Sequence, residues 1–341
     1  MKVILAGFGT IGQGIVKILK AKDNFIKKKF DEGFEIVGVS DSKGAVYDSR
    51  GLDLDLLLKI KHEKGTIKSY PDAKILDSNR DLIDEDADVL IEVTPTDIRK
   101  NSVGMSNLLR AFKTGKHVVT SNKAPLALNF KGLKKEAIKN GCLFYYDATV
   151  GGATPIISTA REILDSVNIE SFQGILNGTC NYILSRMTEE EAPFDLILRE
   201  AQQLGYAEAD PTYDVDGIDT ACKLVILANS IMEANATFKD VKVKGIREIT
   251  EDAIKLAKRD GKVIKLIGEI DCKKLEVSPR LVPEGHLLDV SGNFNVGLFR
   301  TDFAGEIAVG GIGAGQMETA STIFRNLIKI LRSKHGIRGM A

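Results

Sequence analysis

The sequence of 341 residues contains no tryptophan, and aromatic residues make up only 6% of it. Its four cysteines, Cys142, Cys180, Cys222 and Cys272, are far apart, form no C-x-x-C pair and have no histidine at metal-ligand spacing. A zinc site and a disulfide framework are therefore not expected. The pattern is typical of buried thiols in a reducing compartment.

An excess of charge of one sign is also lacking, because 47 Lys and Arg residues balance 47 Asp and Glu residues. Without a positive field, binding to nucleic acid or to an anionic membrane surface is not expected, and a small-molecule ligand is favoured. No apolar run approaches the roughly 20 residues of a membrane-spanning helix. Glycines interrupt the N-terminal apolar run, which lacks a signal-peptide cleavage site, and this predicts a cytoplasmic protein.

The first half of the chain alternates apolar strand-like runs with amphipathic helix-like segments. This order predicts an α/β fold with a doubly wound parallel sheet of the Rossmann type. The expected strands are 2–6, 35–40, 89–93, 117–120 and 143–146, and the expected helices are 11–19, 106–113 and 131–139. The lysine-rich segment 27–29 is expected to be a solvated loop.

The second half predicts an α+β domain. Helices are expected near 155–165, 194–204 and 218–233, a strand and turn at 171–178, and strands near 263–270 and 294–303. A last helix at 319–331 follows a glycine-dense segment whose flexibility suits a return to the first domain. We therefore expect a dinucleotide-binding domain of residues 1–142 and 309–341, and a substrate-binding, catalytic and dimerisation domain of residues 143–308.

The clearest motif is G-F-G-T-I-G, which follows the first strand and opens the first helix. Gly7, Gly9 and Gly12 suit the tight turn, the close approach of a pyrophosphate and the helix–strand packing of a dinucleotide site. Thr10 and Ile11 lie at the helix N-terminus, where main-chain amides bind anions. The motif therefore predicts a bound dinucleotide.

Asp41, at the end of the second strand, is the acid expected to bind the ribose. It lies further from Gly12 than the roughly 20 residues that are usual. Ser42, Lys43 and Arg50 are close by and are suited to a 2′-phosphate instead. The choice between NAD and NADP therefore stays open.

Two short segments follow strands of the predicted sheet. Thr94 and Pro95 follow the strand 89–93, and Ser121 and Lys123 follow the strand that ends at residue 120. Open α/β sheets bind their ligands at the carboxyl ends of their strands. These residues are therefore predicted to contact the cofactor, with Lys123 in or near the cleft.

Residues 206–219 form an acidic segment, interrupted by a proline and a glycine and therefore predicted to be a loop. Its carboxylates suit a substrate ammonium group, whereas the spacing does not fit a calcium-binding loop. Asp219 and Lys223 lie one helical turn apart on the apolar helix that follows. A lysine in such a helix belongs either to a buried ion pair or to an acid–base group, and the adjoining dinucleotide domain favours catalysis.

These motifs resemble the homoserine dehydrogenase family, and the resemblance covers nearly the whole chain. The matching stretches are G-F-G-T-I-G at the start, E-V-T-P-T at 92–96, S-N-K-A-P-L-A at 121–127, Y-D-A-T-V-G-G-A-T-P-I-I at 146–157, I-L-N-G-T-C-N-Y-I-L at 175–184 and L-G-Y-A-E-A-D-P-T-Y-D-V-D-G-I-D-T-A-C-K-L at 204–224. A short form without an aspartokinase or regulatory domain is implied.

The resemblance implies an NAD(P)-dependent enzyme that reversibly reduces L-aspartate 4-semialdehyde to L-homoserine, in the pathway from aspartate to threonine, isoleucine and methionine. It implies Lys223 as the proton donor and acceptor, with Asp219 beside it and Lys123 as a second active-site amine. The residues that it implies for substrate binding are Glu208, Asp214, Gly178, Thr179 and Tyr206.

The resemblance also implies cofactor contacts at the glycines Gly313 and Gly315, and a homodimer joined through a sheet. It further implies a monovalent cation, sodium or potassium, held mainly by main-chain carbonyl groups. The residues implied for this cation are Asp147, Val150, Gly152 and Thr154.

Two other functions stay open on the residues alone, and a third is disfavoured. A sugar or inositol dehydrogenase of similar layout also has a lysine followed closely by a proline after a sheet strand. A phosphorylating aldehyde dehydrogenase would need a reactive thiolate, for which no cysteine has an activating partner in sequence. A regulatory protein that senses the nicotinamide would keep the glycine motif but would not need Glu208, Asp219 and Lys223.

Overall fold

The structure, a computed structural model, describes residues 1–98, 103–271 and 274–336. Within these ranges no helix is both long and apolar enough to cross a membrane. Cys142, Cys180 and Cys222 are buried, as expected, whereas Cys272 lies outside the described residues.

The chain divides into two compact units. Unit 1 contains residues 1–149 and 316–341, and unit 2 contains residues 150–315. The boundaries expected from the sequence, after residues 142 and 308, lie seven residues earlier in both places. The last helix belongs to the same unit as the N-terminal strands, which confirms its expected return.

Unit 1 is built on a seven-stranded sheet with the order β4-β3-β2-β1-β5-β6-β7. The strands are β1 (Lys2–Ala6), β2 (Glu35–Asp41), β3 (Gly44–Tyr47), β4 (Lys74–Leu76), β5 (Val89–Glu92), β6 (His117–Thr120) and β7 (Phe144–Tyr145). Five of them are parallel, which confirms the Rossmann-type sheet. The antiparallel strands β3 and β4 were not predicted, because runs of four and three residues show no clear periodicity.

Helices pack against this sheet. The first five are α1 (Thr10–Phe30), α2 (Leu54–Lys64), α3 (Asn79–Asp84), α4 (Val103–Lys113) and α5 (Lys123–Lys139). The prediction of a loop at 27–29 is wrong, because α1 continues through these lysines. Ile26 and Phe30 lie one turn apart on its buried face, so the lysines between them point to solvent from a helix.

Unit 2 contains a six-stranded sheet with the order β13-β12-β8-β10-β11-β9. The strands are β8 (Ile169–Ile175), β9 (Lys242–Val243), β10 (Lys262–Ile270), β11 (Leu275–Pro283), β12 (Phe294–Thr301) and β13 (Glu306–Ile312). The helices are α6 (Ile156–Leu164), α7 (Gly178–Glu190), α8 (Phe194–Gln203), α9 (Thr212–Val215), α10 (Ile218–Ile231) and α11 (Glu251–Arg259). The expected α+β architecture is confirmed.

Two details of unit 2 differ from the sequence-based expectations. The acidic segment 206–219 is not entirely a loop, because it contains the short helix α9. Likewise, the first part of the glycine-dense segment 310–315 belongs to β13, where Gly311 pairs with Asn295 of β12. A Cβ atom on Gly311 would lie 2.8 Å from the hydroxyl of Thr154. Gly311 therefore lets Thr154 pack closely against β13, and it does not make this part of the chain flexible.

The final helix, α12 (Gln316–Lys334), packs against α1 within unit 1. The two helices approach closely at Gly14, where a Cβ atom would lie 2.9 Å from the side chain of Gln316 and 3.2 Å from that of Ala320. The absence of a side chain at Gly14 therefore sets the distance between the first and last helices.

Candidate active site

The turn between β1 and α1 has the geometry of a dinucleotide cradle. Gly7 has a φ of +106°, and a Cβ atom there would lie 2.7 Å from the main-chain oxygen that follows β5. A Cβ atom on Gly12 would lie 2.2 Å from the carbonyl oxygen of Gly7. Gly9, which caps α1, faces open space instead. An anion therefore has room to approach the main-chain amides of Thr10 and Ile11.

Asp41 ends β2 as predicted, but its carboxylate already has partners. It accepts hydrogen bonds from Lys61 Nζ at 2.7 Å and from the main-chain N–H groups of Lys43 and Ile67 at 2.9 and 3.0 Å. Burial opposes ionisation of Asp41, but these donors hold its pKa below the ordinary value. Asp41 thus ties the end of β2 to the segment that follows α2.

The side chains suited to a 2′-phosphate lie close to this carboxylate in the sequence. Ser42 and Lys43 are exposed in the turn between β2 and β3. Arg50 is exposed too, and its guanidinium forms an ion pair with Asp48 at 2.8 Å. Lys43 therefore places an exposed positive charge two residues after Asp41, whereas the charge of Arg50 is paired with Asp48.

A buried carboxyl group that the sequence analysis missed organises the ends of β5 and β6. Glu92 is fully buried, and it accepts hydrogen bonds from the main-chain N–H of Thr94 at 3.2 Å and from the hydroxyl of Thr120 at 3.2 Å. Burial raises the pKa of Glu92. The amide of Asn122 donates to the carbonyl oxygens of Thr94 and Pro95. The structure thus brings together both strand-end segments.

Lys123 is the first residue of α5 rather than part of a loop, and it is partly buried. Pro125 is tolerated in the first turn because the N–H groups there have no partner within the helix. Ser121 lies between β6 and the capping residue Asn122. A lysine at the positive end of a helix is electrostatically unfavourable, which favours a functional role for Lys123.

Lys223 and Asp219 form a buried ion pair on α10. The Nζ atom lies 2.6 Å from Asp219 Oδ2, and the two side chains are 10% and 7% exposed. The same nitrogen donates to the main-chain carbonyl of Leu176 at 2.5 Å. An ammonium group has three N–H donors, and among the described residues only these two acceptors bind it. One donor is therefore available to a substrate oxygen.

Asn177 connects this ion pair to the acidic segment, a role that the sequence did not assign to it. Its amide nitrogen donates to Asp214 Oδ1 at 2.6 Å and to Asp219 Oδ2 at 3.0 Å. Its amide oxygen accepts from the main-chain N–H of Cys180 and caps α7. The only sequence signal was an asparagine directly before a helix, which also fits an ordinary cap.

The loop that carries Glu208 is held in place by hydrogen bonds to its main-chain carbonyl groups. The hydroxyl of Thr179 donates to the main-chain carbonyl of Tyr206 at 2.7 Å. The side-chain amide of Gln202 donates to the main-chain carbonyl of Glu208 at 3.1 Å. The ring of Tyr206 stacks on that of Tyr182 with a centroid distance of 4.4 Å. The Glu208 side chain itself is exposed, so its charge is accessible to a cationic ligand.

Comparison with known proteins identifies the family. The sequence model of homoserine dehydrogenase matches residues 155–328, and that of Glutamate/Leucine/Phenylalanine/Valine dehydrogenase matches residues 1–120. The chain is 50% identical to a homoserine dehydrogenase of Methanocaldococcus jannaschii, over 98% of this chain and 99% of that protein. The chain belongs to the homoserine dehydrogenase family. The resemblance seen in the motifs is thereby confirmed, and enzymes of this family are NAD(P)-dependent oxidoreductases that act on the CH–OH group of homoserine.

Solved structures agree with this assignment. A crystal structure of a putative homoserine dehydrogenase from Archaeoglobus fulgidus has a TM-score of 0.90 at 45% identity, covering 97% of this chain and 99% of that chain. A hyperthermophilic archaeal homoserine dehydrogenase in complex with NADPH has a TM-score of 0.84 at 27% identity, covering 96% of both chains. The fold therefore matches homoserine dehydrogenases in both units.

The residues that the family resemblance implies for a cation lie in two places. Asp147 is buried in unit 1, where its carboxylate accepts from Asn326 at 2.6 Å and from Lys329 at 2.8 Å. Thr154, in unit 2, has a buried hydroxyl without a hydrogen-bond partner among the described residues. No cluster of three or more His, Cys, Asp or Glu side chains suited to a metal occurs in residues 1–98, 103–271 and 274–336. Val150 and Gly152 belong to unit 2.

The remaining predicted site residues lie at glycines of unit 2. Gly178 opens α7, and a Cβ atom there would lie 2.9 Å from the carbonyl oxygen of Asn293. Gly315 has a φ of +147°, whereas Gly313 lies against the amide of Asn295. The catalytic, substrate and cofactor roles of all these homoserine dehydrogenase residues stay predictions.

Proposed function

We propose that this chain catalyses the reversible reduction of L-aspartate 4-semialdehyde to L-homoserine with NADPH or NADH. The observation that carries the proposal is the Lys223–Asp219 pair. It is buried, it has one donor available, and Asn177 links it to the acidic segment. The open cradle at Gly9 fits the pyrophosphate of the dinucleotide. When bound, the nicotinamide supplies or accepts the hydride.

Lys223 is proposed as the general acid and base. Hydride addition to the aldehyde carbon places negative charge on its oxygen, and the ammonium group of Lys223 both stabilises that charge and gives up a proton to it. In the oxidation of homoserine the neutral amine takes the hydroxyl proton. Asp219 balances the positive charge in a buried position, where an unpaired ammonium would be costly. Lys123 is proposed as a second active-site amine.

Glu208 and Asp214 are proposed to bind the ammonium group of the substrate. Asp214 is oriented by Asn177, whereas Glu208 is exposed on a loop whose main chain is fixed. Two carboxylates favour an amino acid over a plain aldehyde, because only the amino acid brings an ammonium group that attracts their negative charge. Gly178, Thr179 and Tyr206 are proposed to line the same site.

The surroundings of Asp41 favour NADP over NAD. Its carboxylate would have to exchange one of its present donors for a ribose hydroxyl, whereas the exposed Lys43 is available for a 2′-phosphate. Homoserine oxidation assayed in parallel with both cofactors is expected to give the lower KM with NADP. A lower KM with NAD would contradict this preference.

A monovalent cation is proposed near Val150, Gly152 and Thr154. The buried hydroxyl of Thr154 has no partner among the described residues, so an oxygen ligand is available there. Activity is expected to rise with sodium or potassium but not with choline. Thr154→Val should reduce this response. An identical salt response in the variant would exclude Thr154 as a ligand.

The decisive assay follows cofactor reduction with homoserine. Lys223→Ala should reduce kcat by about 100-fold or more, because general acid–base catalysis is lost. The affinity for the cofactor, measured by fluorescence titration, should change little, because the glycine-rich turn is untouched. Near-normal turnover in Lys223→Ala would refute the role of this lysine.

The same assay separates the alternatives. Oxidation of polyols but not of homoserine would favour a sugar or inositol dehydrogenase, and cofactor binding without turnover would favour a sensing protein. Burial raises the pKa of the Cys142 and Cys180 thiols, which disfavours a covalent thiolate mechanism at either residue. We propose that the enzyme works in the cytoplasm as a homodimer.

A further inference from the structure

The main-chain carbonyl of Leu176 accepts hydrogen bonds from two buried side chains. Lys223 Nζ lies 2.5 Å from its oxygen, and Asn295 Nδ2 lies 3.1 Å from it. Leu176 follows the last residue of β8 and precedes Asn177, the cap of α7. The carbonyl therefore lies where the chain passes from the sheet to the helix that begins with Gly178 and Thr179.

This carbonyl gives Lys223 a reference point outside its own helix. Asp219 is on α10, so the ion pair orients Nζ directly relative to that helix, and relative to α7 only through the bond from Asn177 to Asp219. The bond to Leu176 orients Nζ relative to the start of α7, where the proposed substrate residues Gly178 and Thr179 lie. An amine that transfers a proton must be aligned with its substrate to within a fraction of an ångström.

Asn295 is held rigidly in place. It is fully buried in β12, where it pairs with Gly311 of β13. A Cβ atom on Gly313 would lie 2.0 Å from its Nδ2 and 2.4 Å from its Oδ1, so the amide occupies the space that a side chain at 313 would need. Packing against Asn295 within unit 2 is therefore enough to explain why residue 313 is a glycine, without a cofactor contact.

Stability alone does not account for an amide at this position. Asn295 Oδ1 is buried without a hydrogen-bond partner among the described residues. A buried unpaired acceptor is destabilising, and an apolar side chain of the same size would avoid that cost. The hydrogen bond that the Asn295 side chain donates goes to the carbonyl that also holds Lys223.

We propose that Asn295 is a positioning residue for the proposed catalytic amine. It fixes the carbonyl of Leu176, which in turn aligns Lys223 with the substrate-binding end of α7, and Gly313 provides the space for its amide. This inference rests on the proposed role of Lys223. Without the Asn295 donor, the carbonyl of Leu176 has only the hydrogen bond from Lys223, so the position of the carbonyl, and with it that of the amine, is less well defined.

The test replaces Asn295 with leucine, which fills a similar volume and removes both polar atoms. Asn295→Leu should keep or raise the melting temperature, because the unpaired acceptor is gone. Its kcat for homoserine oxidation should fall about 10- to 100-fold, with the KM values for homoserine and cofactor within about threefold of wild type. Asn295→Ala should lower kcat similarly if the leucine variant does not fold.

Asn229 provides a matched control. It is also a buried asparagine of unit 2, and its amide bonds twice to the main chain of Ala236. Asn229→Ala should lower the melting temperature and leave kcat within about twofold. Turnover of Asn295→Leu equal to wild type, in an assay in which Lys223→Ala is inactive, would overturn the positioning role and leave the proposed function intact.

A second readout does not depend on activity. The rate at which an amine-reactive reagent acylates Lys223, followed by peptide mass spectrometry, should rise several-fold in Asn295→Leu, because the amine has lost a fixed acceptor. Lys265, a lysine buried in β10, is the internal control and should react at an unchanged rate. An unchanged rate at Lys223 would overturn the inference even if the wild-type chain failed to oxidise homoserine.

A coupling experiment tests the role of Gly313. Gly313→Ala should lower kcat in the wild-type chain, because its methyl group displaces the amide of Asn295. The same change should cost less in the Asn295→Ala background, where that space is empty. Strictly additive effects would show that Gly313 acts independently of Asn295 and would contradict this part of the proposal.

Discussion

In the part of the chain that the structure describes, three carboxylates bind a lysine while being almost fully buried, and they serve different purposes. Asp41 and Asp147 hold Lys61 and Lys329, whose side chains are 17% and 30% exposed. Asp219 holds a lysine that is only 10% exposed and that also needs a main-chain carbonyl. The first two pairs join distant segments of unit 1, whereas the buried amine of the third suits proton transfer.

Glu92 makes the stability of the protein depend on pH. Burial raises its pKa, so above the ordinary value of 4.5 the folded state keeps a proton that the unfolded state has released. The free energy of unfolding should therefore fall as the pH rises from about 4.5 to the raised pKa of Glu92 in the folded state. Glu92→Gln should flatten this fall, because an amide does not titrate, and melting temperatures between pH 5 and 8 check it. Glu63→Gln, at an exposed position, should behave like wild type.

Parallel melting curves for Glu92→Gln and wild type over this range would contradict the prediction. The variant is otherwise conservative, since glutamine keeps an oxygen that accepts from Thr94 and gains a donor for Thr120.

At the scale of elements, the loop that carries Glu208 depends on α7. Tyr182 of α7 donates to Glu200 of α8 at 2.6 Å, and its ring supports that of Tyr206. Burial and the neighbouring Glu200 carboxylate raise the pKa of Tyr182 to about 12. The phenol therefore stays a neutral donor at physiological pH, and α7 and α8 together hold the start of the loop that carries Glu208.

Removing this support should weaken substrate binding more than turnover. Tyr182→Leu loses the aromatic stack, which is worth about 0.5–1.5 kcal/mol, so the KM for homoserine should rise roughly 2- to 10-fold. Tyr182→Phe keeps the stack and should change KM by less than about twofold. Steady-state kinetics check both. Phe303→Leu is the control, because this aromatic residue of unit 2 is 86% exposed, and it should leave the KM for homoserine unchanged. Equal KM values for Tyr182→Leu and Tyr182→Phe would contradict the role of the ring.

The contact between α1 and α12 at Gly14 gives a prediction about stability. Gly14→Val should lower the free energy of unfolding by about 1–3 kcal/mol, because its side chain would overlap Gln316 and Ala320. Denaturant unfolding measures the change. Ala320→Gly should recover part of the loss in the Gly14→Val background by opening space. Additive losses in the double variant would show that the two helices do not press on each other there.

At the scale of the whole molecule, the two units have separate sheets, and exposed apolar side chains occur on the sheet of unit 2. Leu281 of β11 and Phe294 of β12 are 57% and 39% exposed. Leu281 also lines a surface depression with Gln173 and His286. The proposed homodimer, joined through a sheet, would bury apolar side chains of this kind.

Sedimentation equilibrium tests the homodimer. The wild-type chain should give twice the monomer mass of 37.1 kDa, and Leu281→Glu should shift the mass toward the monomer by placing a charge in an apolar contact. Ile138→Glu, at an apolar position of α5 in unit 1 that is 68% exposed, should leave the mass unchanged. A monomeric wild-type chain would exclude the dimer, and a dimeric Leu281→Glu would place the contact elsewhere.

The sequence by itself determined the features that depend on near neighbours. The glycine-rich turn before α1, the parallel strands β1, β2, β5 and β6 and the apolar helix α10 follow from local periodicity and from the conformations that glycine permits. The motifs also identified the family. A helix through residues 27–29 was missed, because its buried face depends on packing against Leu331 at the other end of the chain.

Only the tertiary structure decided which buried polar groups meet. Lys223 and Asn295 reach the carbonyl of Leu176 across 47 and 119 residues of sequence. Glu92 finds Thr120 across 28 residues. Such partners cannot be seen in a local pattern, because a buried donor takes whichever acceptor the packing of distant elements places within about 3 Å of it. The sequence therefore specified the elements, while their packing specified the site.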